Sequence, residues 1–125
     1  YPALKELKEE RIPRYAKQKY FVGLDGRKVV CDSEHLMLAG LLQNGEKIVM
    51  AKANVIWKNW LDTERVPYWQ VNFVHDEWQT ETLPEYQEFV GYVQRESLRM
   101  AGEQLSLAIP LAGETKYGLN WLDTH

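Results

Sequence analysis

Three consecutive polar residues, His75, Asp76 and Glu77, interrupt an apolar run, and nowhere else does this 125-residue sequence set two adjacent carboxylates directly beside an imidazole. An aspartate so placed is a ligand for a hard cation such as Mg²⁺, which keeps several waters and takes one or two carboxylates plus substrate phosphates. Adjacent residues of an extended strand point to opposite faces, so the two acids do not chelate one ion side by side and are read as having separate tasks. Asp76 is then the metal ligand, Glu77 a second ligand or an outer group, and His75 a hydrogen-bonding partner of a substrate. The plain alternative is a polar β-turn with solvated carboxylates, since Asp favours turns. The tripeptide by itself favours that alternative, because so short a motif carries meaning only through its context.

The elements around the tripeptide supply that context. In Tyr68–Val74, Trp69, Val71 and Phe73 alternate with Tyr68, Gln70, Asn72 and Val74, the pattern of a strand with at least one buried face. Trp78 to Thr82 forms a shorter, more polar return strand, which makes a hairpin with His75, Asp76 and Glu77 at or beside its tip. Upstream, Leu4, Leu7, Ile12 and Tyr15 recur among charges from Pro2 to about Lys19, predicting one amphipathic surface helix or two broken at Pro13. Tyr20–Leu24 and Val29–Cys31 flank Asp25-Gly26-Arg27-Lys28, a hairpin signal because Gly accepts positive φ. Arg27 and Lys28 lie near that turn, either as phosphate contacts or as a solvated basic turn.

Ser33 is placed to cap a long helix from Glu34 to about Asp62. Its first half is apolar around much of its circumference, which predicts burial between layers and sets Gln43 among apolar neighbours with an amide in need of a partner. Trp57 and Trp60 read as core or partner-facing aromatics. Thr82-Leu83-Pro84-Glu85 reads as a capping box opening a helix in which Tyr86, Phe89, Val90, Val93, Ser97, Met100 and Ala101 keep helical spacing up to a stop near Gly102. Leu105–Leu111 alternates in part as a strand, and Trp121 anchors the tail. The fold class is α+β, an antiparallel sheet with helices packed mainly on one face.

Composition sets bounds. The length suits one domain or a piece of one. With 45% hydrophobic and 26% charged residues the chain is an ordinary globular sequence. No apolar run approaches the ~20 residues of a membrane span. A lone Cys31 excludes an internal disulfide. The net charge of -3 argues against a free-standing nucleic-acid binder, unless other segments supply most of the phosphate contacts. The chain opens on Tyr1 and directly in a helical pattern, which is read as a fragment or processed piece.

Phe73-Val74-His75-Asp76-Glu77 resembles the apolar-Val-His-Asp-Glu palm hairpin of family A DNA polymerases, meaning bacterial DNA polymerase I and the related phage replicative enzymes. Three more stretches agree in order. Leu24-Asp25-Gly26-Arg27-Lys28 is similar to the family's Leu-Asp-Gly-Arg turn, Leu41-Leu42-Gln43 to its glutamine-bearing helix, and Asn120-Trp121-Leu122-Asp123-Thr124-His125 to the Asn-Trp segment and final His that close many members. The resemblance runs from about Tyr20 onward. It departs at Asn44-Gly45-Glu46-Lys47, where small residues generally follow the glutamine, and at Ala39, where many members have an Asn.

The resemblance implies that residues 1–125 are the C-terminal part of a polymerase palm domain, in an enzyme adding deoxynucleotides to a primer 3′ end by two-metal phosphoryl transfer. Asp76 is then a metal ligand for one of two Mg²⁺ ions, with Mn²⁺ as a substitute, and Glu77 a second catalytic acid near them. His75, Gln43 and Arg27 are implied DNA contacts, Gln43 through the minor-groove edge. The partners are primer-template DNA, deoxynucleoside triphosphates and the remainder of the polymerase chain, with no membrane, in the cytoplasm, that of the bacterial host if phage-encoded. The family's upstream Asp-Tyr-Ser-like strand and its triphosphate-binding helix with Lys, Arg and Tyr have no counterpart between Tyr1 and His125, so the chain alone is expected to be inactive. Two other functions compete. One is a non-catalytic α+β interaction module with a solvated acidic hairpin; the other is a stand-alone metal hydrolase, which lacks a second compact carboxylate or His cluster.

Overall fold

The structure is a computed structural model that describes residues 1–125. They form two units, Tyr1–Ile48 and Val49–His125. Both contain helices and one antiparallel hairpin, so the α+β class holds; the strands form two separate two-stranded sheets where a single sheet was expected.

In the first unit, helix α1 (Pro2–Glu6) runs through a π-helical turn (Leu7–Arg11) into helix α2 (Ile12–Gln18). Pro13 does not break the helix. It sits in the first turn of α2, where a missing N–H costs little, and the Ile12 N–H reaches back to the Leu7 carbonyl to close the wider turn. Lys19 ends the run in the left-handed region, at φ 62°. The helix is not purely a solvated one: Ile12 is buried against Phe21 and Met37, with Leu7 and Tyr15 beside them. Strands β1 (Tyr20–Val22) and β2 (Lys28–Val30) pair Tyr20 with Val30, Phe21 with Val29 and Val22 with Lys28. Their connection is a loop, not a two-residue turn. The Gly23 N–H donates to the Arg27 carbonyl at 2.9 Å and the Gly26 N–H to the Gly23 carbonyl at 3.0 Å. Gly26 adopts φ 82°, a conformation costly for a residue with a Cβ.

Helix α3 (Glu34–Thr63) contributes its first half to this unit and its second half to the next. The Ser33 hydroxyl lies 2.7 Å from His35 Nδ1 instead of capping a backbone N–H. The expected burial between layers is not met, because Leu36, Leu42 and Val55 are all more than half exposed. In the second unit one stripe, Val49, Met50, Ala53, Trp57 and Leu61, is buried. It recurs at three and four residues, the spacing of a single helix face.

The second unit adds strands β3 (Tyr68–Val74) and β4 (Glu77–Thr82), a 3₁₀ turn (Pro84–Tyr86), helix α4 (Gln87–Gln104) and the short helix α5 (Trp121–Thr124). Its core joins Trp57, Leu61 and Val66 of the α3 end to Val90 and Val93 of α4, with Tyr68 and Trp78 of the hairpin packed against them. A neighbouring cluster holds Val49, Ala53 and Ala101 with Leu105, Leu107 and Leu111. The expected capping box is absent: Thr82 belongs to β4 and donates to the Pro67 carbonyl at 2.7 Å, and α4 starts after the 3₁₀ turn without a side-chain cap. Nor is Leu105–Leu111 a strand. The Leu107 N–H turns back to the Gly102 carbonyl at 3.0 Å, Ser106 takes φ 57°, and the leucines are used as core contacts of an irregular segment.

Candidate metal and nucleic-acid site

The hairpin register explains how the acidic tripeptide is presented. Tyr68 pairs with Thr82 and Gln70 with Thr80, but beyond that point Asn72 pairs with Gln79 and Phe73 with Trp78, so Val71 is the extra residue of a β-bulge. A bulge resets the alternation of side chains. Trp69, Val71 and Phe73 therefore do not share one buried face as their spacing suggested. Trp69 lies opposite the exposed Glu81 and is itself 57% exposed; Phe73, 40% exposed, lies opposite Trp78 and meets it edge to face with ring centroids 6.2 Å apart. Trp78 in turn packs on Trp57 at 5.9 Å.

Val74 pairs with Glu77, so His75 and Asp76 are the two loop residues of a tight hairpin. Such loops need a positive φ in at least one position. Here His75 supplies it, at φ 51°. Histidine is among the residues found there more often than most, though less cheaply than glycine. The backbone thereby separates the two acids. Asp76 stands exposed in the loop and enters no ion pair or side-chain hydrogen bond, while Glu77 is the first, partly buried residue of β4.

Glu77 is engaged from several sides. The Gln79 side-chain amide donates to it, and His125 Nε2 lies 3.0 Å from Oε1 and 3.3 Å from Oε2. The Gln79 hydrogen bond, followed by the charge and hydrogen bond of His125 and the charge of Lys116, holds the Glu77 carboxyl below its usual range, against an opposing contribution from burial. His125 was not assigned a role by sequence reasoning. Its signal was Asn120-Trp121-Leu122-Asp123, a four-residue N-cap pattern in which the Asn120 side chain accepts from the Asp123 N–H and so shapes the turn before His125.

A divalent ion finds only part of a coordination shell in this chain. Nowhere do three His, Cys, Asp or Glu side chains cluster as a metal site would require. Asp76 offers one free carboxylate, which suits a shared site completed by phosphate oxygens and other groups. Glu77, already bonded to Gln79 and His125, is the poorer donor.

Arg27 and Gln43 belong to the first unit. The Arg27 guanidinium bonds Asp25 Oδ2 at 2.5 Å, and its backbone N–H donates to Asp25 Oδ1 at 3.2 Å. That backbone hydrogen bond first, and the guanidinium second, hold the Asp25 carboxyl below its usual range. The Arg27 side chain is nevertheless 80% exposed. It lines a surface depression with Lys28, Val29, Val30 and Asn44. Gln43 is exposed on α3, so the premise that its amide is buried among apolar side chains is wrong; the long helix leaves that side open. Charge is also unevenly shared. Tyr1–Ile48 carries nine Lys and Arg against seven Asp and Glu, and Val49–His125 six against eleven. The overall acidity thus belongs to the unit with the hairpin tip, and the unit with Arg27 is mildly basic.

No protein-family model matches the chain. It is 31% identical over 130 aligned positions to a DNA-directed DNA polymerase of Escherichia phage Phieco32, an alignment covering 93% of this chain and 20% of that protein. It is 30% identical over 116 positions to a DNA-directed DNA polymerase of Enterobacteria phage T3, covering 87% of this chain and 16% of that protein. The chain therefore spans a fifth or less of the length of these relatives. Over most of its own length it is homologous to a segment of phage DNA-directed DNA polymerases.

Proposed function

We propose that this chain is the C-terminal palm segment of a family A DNA polymerase, and that Asp76 is the carboxylate it contributes to the metal site of nucleotide addition. The observation that carries this reading is the hairpin tip: a two-residue loop exposes Asp76 with both oxygens free, while its neighbour Glu77 is tied to Gln79 and His125. The similarity to phage polymerases supports it independently. Bound Mg²⁺, or Mn²⁺ in its place, supplies charge neutralisation at the attacking and leaving oxygens of an in-line displacement.

The residues of the chain have distinct parts. Asp76 binds the ion, Glu77 shapes the acid environment beside it, and His75 reaches the primer end from the same loop. Arg27 contacts a DNA phosphate through its exposed guanidinium. Gln43, exposed on α3, donates to the minor-groove acceptors that every base pair presents. The mildly basic Tyr1–Ile48 fits such contacts better than the overall charge does. Primer-template DNA, deoxynucleoside triphosphates and the rest of the polymerase chain are the partners, and the bacterial host cytoplasm the location. No helix is long and apolar enough to cross a membrane. Because the family's Asp-Tyr-Ser-like strand and triphosphate-binding helix have no counterpart between Tyr1 and His125, the isolated chain is expected to incorporate no nucleotides.

The test is Asp76→Ala in the complete polymerase carrying this segment. Primer extension is expected to fall by at least about a thousandfold with the fold retained, as for removal of a principal transition-state charge partner. Near-normal extension would refute the metal-ligand role and leave the non-catalytic interaction module as the better reading.

A further inference from the structure

The segment after α4 positions a residue far from it in the sequence. It runs back along that helix: Leu111 lies against Gly102, where a Cβ would come within 3.2 Å of its Cγ, and a Cβ on Gly113 would lie 2.8 Å from Leu98 Cδ1. Further along, Arg95 Nη1 donates to Thr115 Oγ1 at 2.6 Å, and Thr115 and Tyr117 close over Gly91. From Gly102 back to Gly91 the helix covers about 16 Å, a distance the strap crosses in six nearly extended residues.

The strap delivers a compact turn. Asn120 Oδ1 accepts from the Asp123 N–H at 3.1 Å, and Asp123 Oδ2 accepts from the Leu119 N–H at 2.9 Å, so each closes an end of the turn on the other. A Cβ on Gly118 would overlap Asp123, which makes that glycine part of the turn. The product is a fixed imidazole. The His125 ring stacks on Trp121 with centroids 4.3 Å apart and planes 3° from parallel, its Nδ1 is 3.3 Å from the Trp121 carbonyl, and its Nε2 faces Glu77. Forty-eight residues separate His125 from Glu77, so no local rule accounts for their meeting.

We propose that His125 is a positioning residue for the hairpin tip: by donating from Nε2 to Glu77 it holds that carboxylate at the base of the loop and leaves Asp76 as the one acid presented to a metal-bound phosphate. The inference rests on the polymerase reading for its consequence, not for its geometry. Released from His125, the Glu77 side chain keeps only the Gln79 amide on its own strand and gains room to swing toward the loop, where it competes for the same cation and adds negative charge against the phosphates. A hydrogen bond to a charged group fixes orientation strongly, and small displacements of a catalytic ligand are felt in turnover before they are felt in binding.

The experiment has a structural arm and a kinetic arm. In the complete polymerase carrying this segment, His125→Ala is compared with His125→Gln, which keeps an N–H donor near the position of Nε2. Amide hydrogen exchange at His75, Asp76 and Glu77 is expected to accelerate about tenfold in the alanine variant and to return most of the way in the glutamine variant. In the complete polymerase, His125→Ala is expected to lower kcat about tenfold with less than about a twofold change in KM for the nucleotide, again recovered by glutamine. Unchanged exchange at the tip overturns the proposal, whatever the activity. Accelerated exchange with unchanged kcat overturns its catalytic consequence. The polymerase reading is judged separately by Asp76→Ala, so the two failures are distinguishable.

Discussion

Trp57 and Tyr68 meet edge to face, with ring centroids 5.1 Å apart and planes at 69°. Trp57 has no solvent exposure, and Trp78 packs on it from the other strand, so a single indole joins α3 to both strands of the hairpin. Its Nε1–H has no hydrogen-bond acceptor, a cost that the buried aromatic area must exceed.

Trp57→Ala is therefore expected to destabilise the second unit by about 3–5 kcal/mol, the usual cost of emptying an aromatic site in a core. That is a large share of the ~5–15 kcal/mol by which a whole domain is stable. Trp57→Phe keeps a ring and removes the orphaned N–H, so it should recover a good part of the loss. Urea denaturation followed by circular dichroism measures both. An alanine variant with an unchanged midpoint would show that the hairpin is held elsewhere.

Gly91 gives a prediction in which two effects oppose each other. Alanine is the better helix former by about 1 kcal/mol. Yet a Cβ at this position lies 3.0 Å from Thr115 Cγ2 and overlaps the Tyr117 hydroxyl, and overpacking typically costs about 1–3 kcal/mol. The strap is expected to give way, making Gly91→Ala net destabilising and weakening the contact of His125 with Glu77. Nuclear Overhauser contacts between the His125 and Trp121 rings and β4 follow the displacement. A stabilised variant with those contacts intact would mean that the strap is not seated on Gly91.

Tyr68 makes stability depend on alkaline pH. Burial first, then the hydrogen bond and charge of Asp62, push its phenol up to about 12 from an ordinary 10.0. The folded state thus keeps the proton that the unfolded chain releases near 10. The stabilisation is complete below about pH 10 and is lost as pH rises through the window from about 10 to about 12. Tyr68→Phe should flatten that part of the stability profile. The difference in phenolate absorbance between the two proteins reports the ionisation directly; formation of the Tyr68 phenolate near pH 10 would contradict the assignment.

Much of the local structure follows from the sequence because its causes are local. The two hairpins, the long helix from Glu34 and the helix ending near Gly102 are set by apolar spacing, β-prone runs and turn residues, all within a few positions of one another. The His75-Asp76-Glu77 tip is legible for the same reason, as is the resemblance it carries. What sequence could not decide depends on contacts between distant residues or on one-residue shifts of register. The bulge at Val71 moves Phe73 away from the face shared by Trp69, because side-chain direction reverses with every residue. Leu105–Leu111 alternates like a strand but finds no strand to pair with, and its leucines are consumed in the core instead. Asp76 and Glu77 are adjacent acids in the sequence. Only the fold, by carrying His125 back along α4 to Glu77, makes one of them engaged and the other free.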